Sequence, residues 1–424
     1  MSSAGFGRFL CIWAGEWISS IGSGLTAFAL GVYVFQLTQT ATSVALVTLC
    51  AFVPSILLSP LGGVFADRYD RRLMMIAGDL LSVLGLMFIL VLMLQGDPSL
   101  WQICLGVTAS SVFVSLLEPA YKATITDLLS PEQYARASGL VQLAGASKYL
   151  LSPVLAGLLL RFMDIKSILL IDISTFLVTV LTVMAVRKQL PAERSAITNQ
   201  SWIKELIQGW ETLVSARGVL LLTVLLSLVT FYIGFIQTLF TPLLLSFTDS
   251  QTLGNVISVS ACGMLAGSLL IGLFSLTRHY VRWLALGLAA AGIFMTLVGV
   301  TPNLYVIAGS GFMFFAALPW INTSADVLIR SHIASSYQGR VWGLIGIISQ
   351  LGYVAAYGCA GVLADHVFNP LLIEGGRLAS TVGQVIGTGE GRGIGLMLVI
   401  SGVLLVLAAC ILPALKSVRS LEQH

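Results

Sequence analysis

Ionisable side chains stand inside stretches that are otherwise apolar, among them Glu16, Glu118, Lys122, Lys148 and Asp172. An ionised group in a lipid-spanning helix costs roughly 2.5–3.5 kcal/mol or more, so each is a functional candidate. The chemistry open to a carboxylate in such a place is proton exchange, because taking up a proton removes the costly charge. Glu16 sits about two turns inside the first apolar stretch with no charged partner at helical spacing, which makes it the first candidate. Glu118 and Lys122 are four residues apart, a spacing that lets them pair on one helix face. Glu118 and Asp172 are the further proton-coupling candidates. Asp326 and Arg330 make a second such pair near the end of a stretch, where a gate or helix-end contact is expected. The six cysteines are scattered without a CxxC pair, and the four histidines lie in loops or at the terminus. No metal site and no cofactor are expected, leaving a proton gradient as the energy source.

The elements that must hold these residues are read from composition. Of 424 residues 57% are hydrophobic and 10% charged, against about 25% charged in a soluble domain. Lipid must solvate most of that surface. Twelve apolar stretches recur, at 9–36, 42–66, 73–95, 101–129, 137–160, 167–186, 218–247, 252–276, 280–300, 304–330, 340–364 and 392–415. Each is long enough to cross about 30 Å of hydrocarbon, and each must be helical to satisfy its own backbone. The first is expected to be a retained helix, since no small-residue cleavage site follows it. Lys and Arg concentrate in the even-numbered loops and both termini, which puts both termini in the cytoplasm.

The charged stretch 187–217 divides the chain six and six, giving expected domains 1–186 and 218–424 with a linker between. The halves repeat: Pro119 matches Pro319, and Arg136-Ala-Ser-Gly139-Leu matches Arg340-Val-Trp-Gly343-Leu. Gly62, Arg68 and Arg72 match Gly272, Arg278 and Arg282. An even number of helices per half makes these parallel repeats, with a site expected near the midplane. In the linker, Trp202, Leu206, Trp210 and Leu213 suggest an amphipathic helix acting as a strap on the membrane surface. The last long loop, 365–391, is glycine-rich, but it lacks a Walker lysine and follows no strand. A flexible connection is expected there.

After the second stretch the chain reads Gly63-Val-Phe-Ala-Asp67-Arg68-Tyr-Asp70-Arg71-Arg72. This resembles the signature loop of the major facilitator superfamily, G-x-L-a-D-r-x-G-r-r, with Phe65 in place of leucine and Asp70 where glycine is commonest. The resemblance implies that Asp67 faces the start of the eleventh helix, at Arg340, and that Arg71 pairs with Asp127. The fifth stretch, Gly145-Ala-Ser-Lys148-Tyr-Leu-Leu-Ser152-Pro153-Val-Leu-Ala156-Gly157, looks like a degraded antiporter motif, carried by Gly145, Pro153 and Gly157. Ile12-Trp-Ala-Gly15, Ile171-Asp172, Gly263-Met-Leu-Ala-Gly267 and Gly339-Arg340-Val extend the likeness to the drug:proton antiporters of macrolide-efflux type. In those a glutamine often stands where this chain has Glu16.

The likeness implies an all-helical membrane fold of two six-helix bundles, with a substrate cavity lined by the first, fourth, seventh and tenth helices. Those helices and their neighbours offer Trp13, Trp17, Tyr121, Lys122, Lys148, Phe231, Tyr232, Phe235, Trp320 and Asn322. Aromatic faces suit an amphipathic or cationic molecule. The reading is an inner-membrane, monomeric, proton-driven exporter of small amphipathic molecules, with no nucleic-acid partner and no enzymatic activity. Export of a siderophore, a peptide product or a lysolipid is the nearest alternative, and a non-transporting sensor of the same fold is the next.

Overall fold

A computed structural model of the chain describes residues 2–130, 133–187, 210–274, 279–333 and 335–422. Twelve long helices run through them. They are α1 (Ser2–Thr38), α2 (Ala41–Arg68), α3 (Arg71–Gln95), α4 (Leu100–Leu128), α5 (Tyr134–Phe162) and α6 (Ile165–Arg187), then α7 (Arg217–Leu245), α8 (Ser250–Phe274), α9 (Tyr280–Val300), α10 (Leu304–His332), α11 (Ser335–Leu363) and α12 (Arg392–Ile411). All twelve carry a stretch long and apolar enough to cross a membrane, and the described residues include no strand.

The breaks between helices are built from polar residues that satisfy free backbone groups. Asn303 accepts the Tyr305 and Val306 N–H groups at 2.9 and 3.4 Å and starts α10. Gln102 reaches back to the Ser99 N–H at 2.9 Å and starts α4. Before α6, Asp164 accepts the Ser167 N–H at 3.1 Å and the Ser167 hydroxyl at 2.9 Å. Those two bonds hold its carboxyl below the usual carboxylate range.

The helices leave much of their apolar surface uncovered. Between 22% and 56% of the most apolar window of each span is buried within the protein. Leu94, Leu181, Leu269 and Leu273 are among the large side chains left exposed. Lipid is the solvent for these faces, and the protein is a multi-pass membrane protein.

Contacts divide the chain into two units. The first comprises residues 1–39, 46–199 and 250–254, and the second residues 40–45, 200–249 and 255–424. The expected domains differ from these units by the two short exchanged segments. In the first unit α1 packs on α5 and α6, and α3 on α4 and α6. In the second α7 packs on α11 and α12, and α9 on α10 and α12. The same pairings recur with a shift of six helices, which is the repeat in structural form.

Three expectations need comment. The amphipathic linker helix falls mostly on 188–209, outside the described residues, although Trp210 is exposed and Leu213 buried. Arg278 also lies outside them. The loop 365–391 is not an unstructured connection: it forms a π-helical turn, Ala364–Phe368, and two short helices, Asn369–Leu372 and Gly383–Ile386. Its glycines serve this compact path, with Gly375, Gly387, Gly389 and Gly391 at φ of 82°, 95°, 114° and 77°. These are left-handed values that side chains disfavour. The loop's start is also tied down within the second unit. Asp365 accepts the Ala41 and Thr42 N–H groups at 3.1 and 2.7 Å and the Thr42 hydroxyl at 2.6 Å, capping α2.

Candidate functional site

At one end of the first unit, charges cluster around the α2–α3 break. Asp70 caps α3 by accepting the Arg72 and Leu73 N–H groups at 3.0 and 3.4 Å. Its other oxygen accepts from Arg187 Nε, at the end of α6, at 3.1 Å. Glycine, which the signature loop prefers here, has no side chain to make either contact. Arg71 donates to Asp127 at 2.5 Å and also to the carbonyls of Ala66 and Ala123. The pairing of α3 with the end of α4 is therefore the one the motif implies. Arg72 is buried. The side chains of Gly63, Asp67, Arg68 and Arg340 lie outside those described, as does any contact of Asp67 with the start of α11.

Deeper in the same unit lies a buried acidic group. Glu16 is partly exposed, yet its Oε1 is enclosed with no hydrogen-bond partner among the described residues. Asp79, on α3, is 1% exposed and its Oδ2 is likewise unpartnered. The two carboxyl groups interact electrostatically, and Tyr121 on α4 interacts with Glu16 in turn. The Tyr121 hydroxyl is also enclosed and unpartnered. These groups sit against a core of Ile12, Met75, Ile76, Ala120, Val180 and Val183. Close helix approach makes the site possible: a Cβ at Gly15 would stand 2.4 Å from the Thr182 hydroxyl of α6.

Asp79 was missed in the sequence reading, although the signal was available. It is a lone carboxylate at the seventh residue of the third apolar stretch, by the same criterion that singled out Glu16. Tyr121 must be reassigned. Expected to line a cavity, it is 8% exposed and packed within the bundle.

A second polar cluster holds Asp172, which is 1% exposed on α6. The Thr175 hydroxyl lies 3.4 Å from Asp172 Oδ1. Ser23 and Thr26 of α1 face the carboxyl, and Lys148 of α5 interacts with its charge. Gly22 permits this: a Cβ there would stand 2.8 Å from Asp172 Oδ1. Two of the ionisable candidates, Lys148 and Asp172, thus belong together. Glu118 and Lys122 pair at 2.7 Å, with about two thirds of each side chain exposed.

The remaining candidates divide between the units. Trp13 and Trp17 stack with ring centroids 5.3 Å apart. Their indole N–H groups donate to the Leu140 carbonyl at 2.7 Å and the Ser147 hydroxyl at 2.8 Å, both on α5. Pro153 and Gly157 of the antiporter-like motif are close-approach points: a Cβ at Gly157 would meet the Ser250 carbonyl at 2.6 Å. Gly145, by contrast, faces open space. In the second unit Tyr232 is buried, and Trp320 lies against Trp283 with centroids 5.0 Å apart. Trp320 is partly exposed, and Asn322 is exposed. Cys50 of α2 and Cys104 of α4, far apart in sequence, are free thiols close enough to influence one another.

With this geometry in place, the sequence model of the Major Facilitator Superfamily matches residues 12–357. The chain belongs to this superfamily. Among relatives, it is 24% identical to macrolide efflux protein A of Streptococcus pyogenes, over 98% of this chain and 97% of that one. It is 26% identical to macrolide efflux protein A of Enterococcus faecalis, over 72% of this chain and 95% of that one. Among solved structures, a bacterial homologue of the human lysosomal transporter Spinster aligns with a TM-score of 0.72 at 15% identity, covering 100% of this chain and 98% of that one. The transporter fold of the superfamily thus accounts for the twelve helices and the repeated pairings. Within it, the Arg71–Asp127 contact joins the signature loop to α4.

Proposed function

We propose that this major facilitator protein exports small amphipathic molecules, macrolide-like in class, by proton antiport with alternating access between two helical bundles. It acts as a transporter and not an enzyme, in the inner membrane with both termini cytoplasmic, as a monomer needing no cofactor. The observation that carries the reading is the Glu16 carboxylate: one enclosed, unpartnered oxygen on a residue that is otherwise partly accessible. A group at the border between packed interior and accessible surface can gain and lose a proton, and its charge state changes the energy of enclosing it. Efflux by the relatives named above supports the direction of transport and the substrate class.

The Glu118–Lys122 pair is largely exposed. Its accessibility suits substrate contact.

The test is efflux of erythromycin and of lipophilic cationic dyes from energised cells, comparing wild type with Glu16→Gln and Glu118→Gln. Glu16→Gln is expected to abolish gradient-driven efflux. Glu118→Gln is expected to reduce it by roughly tenfold or less, about 1.4 kcal/mol in the limiting step. Full activity in Glu16→Gln overturns the proton-site assignment. Failure of every probe with the protein correctly inserted points instead to a dedicated product such as a siderophore, a peptide or a lysolipid.

A further inference from the structure

We propose that Glu16 and Asp79 act as one proton site, holding a single proton between two carboxyl groups with the Tyr121 hydroxyl beside them. This rests on the reading of the chain as proton-coupled, and it adds Asp79 as a residue of that site.

Three enclosed polar atoms without partners stand on three helices: Glu16 Oε1 of α1, Asp79 Oδ2 of α3 and the Tyr121 hydroxyl of α4; Ile12, one turn before Glu16, and Met75 and Ile76, one turn before Asp79, pack with Tyr121 in one core. A buried polar atom left unsatisfied costs about 1–3 kcal/mol, and more if charged. One such atom is a local defect. Glu16 lies within electrostatic reach of both Asp79 and Tyr121, so the three make one site for a ligand. The ligand is small, because Met75, Ile76, Ala120 and Val183 pack the space around it. It is positive, because two of the three groups are carboxyls.

A proton meets both conditions. With one proton on the pair, the O–H of one carboxyl donates to the other, forming a charge-assisted hydrogen bond. Without the proton, two like charges face each other in a poorly solvated place. With two, no charge is left for a proton to follow.

The surroundings supply no alternative counter-charge among the described residues. From α4 the facing group is Tyr121. From α6 the neighbours are Val180 and Val183, while Asp172 lies eight residues away in sequence, about 12 Å along the helix, beside Lys148 of α5. On α5, Ser147 is engaged by Trp17. On α3, Arg71 is committed to Asp127, and Arg72 lies about 10 Å along the helix from Asp79.

Infrared spectroscopy of the full-length protein in liposomes at neutral pH reads the proton directly, with no substrate required. A protonated carboxyl has a carbonyl stretch that shifts in deuterated water. Difference spectra of wild type against Glu16→Gln and against Asp79→Asn should each show the same single band lost. Either amide donates an N–H bond to the carboxylate that remains, which then stays ionised. Asp79→Glu keeps a carboxyl in place and should keep the band, separating proton storage from a merely structural role. Retention of the band in Asp79→Asn with loss in Glu16→Gln overturns the pairing and leaves the single-acid reading of Glu16 standing. Loss of two bands in the double variant, one for each residue, also overturns it. A band unaffected by Glu16→Gln removes the proton-site assignment itself.

Discussion

The acids of the first unit differ in what surrounds them, and that difference assigns their work. Asp172 has the Thr175 hydroxyl at its carboxyl and the charge of Lys148 within electrostatic reach, a setting unlike that of Glu16. Removing the ammonium alone leaves an uncompensated buried acid. Lys148→Met should therefore lower folding stability by no more than about 1 kcal/mol, because Lys148 is partly exposed. The double variant Lys148→Met/Asp172→Leu should recover most of the loss, a non-additivity that thermal unfolding in detergent would reveal. Equal, additive losses would show that the two residues do not communicate. The sequence offered both residues as separate candidates. Their association depends on which faces of α5 and α6 turn toward α1, and a helix that is apolar all round carries little signal of its rotation. The same ambiguity placed Tyr121 on a cavity wall when its neighbours are Met75 and Val183. Glu16 was legible because depth in an apolar stretch suffices to flag it. The Asp79 partnership was not, because 63 residues separate the two and nothing local encodes their meeting.

At the scale of elements, helix ends carry the specificity that apolar interiors lack. The α2–α3 break shows it: Asp70 caps α3 and holds the last turn of α6 through Arg187. Asp70→Gly, which restores the residue the signature loop prefers, should lower thermal stability by about 0.5 kcal/mol, a few tenths from the cap and the rest from the lost Arg187 pair. Asp70→Asn, which keeps a cap acceptor and loses the ion pair, should fall between it and wild type. A melting temperature unchanged in Asp70→Gly would show that the surrounding loop replaces the cap. Lengths and order of the helices were readable from apolar runs of about twenty residues, and so was the pairing of Arg71 with Asp127 from the motif. The glycine-rich stretch before α12 was not. Repeated glycines suggest freedom, yet four of them adopt left-handed backbone, where glycine is the residue that fits a tight path. Composition alone cannot separate glycine used for freedom from glycine used for geometry.

At the scale of the whole molecule, the chain has two units with the same helix pairings, but among the described residues its enclosed acids are not repeated. Glu16, Asp79 and Asp172 all lie in the first. The proton chemistry is thus assigned to one half of a duplicated scaffold, and its coupling to substrate must travel through movement between states. The decisive measurement is proton flux in liposomes containing the purified protein and a trapped pH-sensitive dye, after an erythromycin gradient is imposed across the membrane. Antiport predicts that protons move against the direction of erythromycin in wild type and do not move in Glu16→Gln. Proton movement in the same direction as erythromycin, or erythromycin transport with no proton flux, would contradict the account.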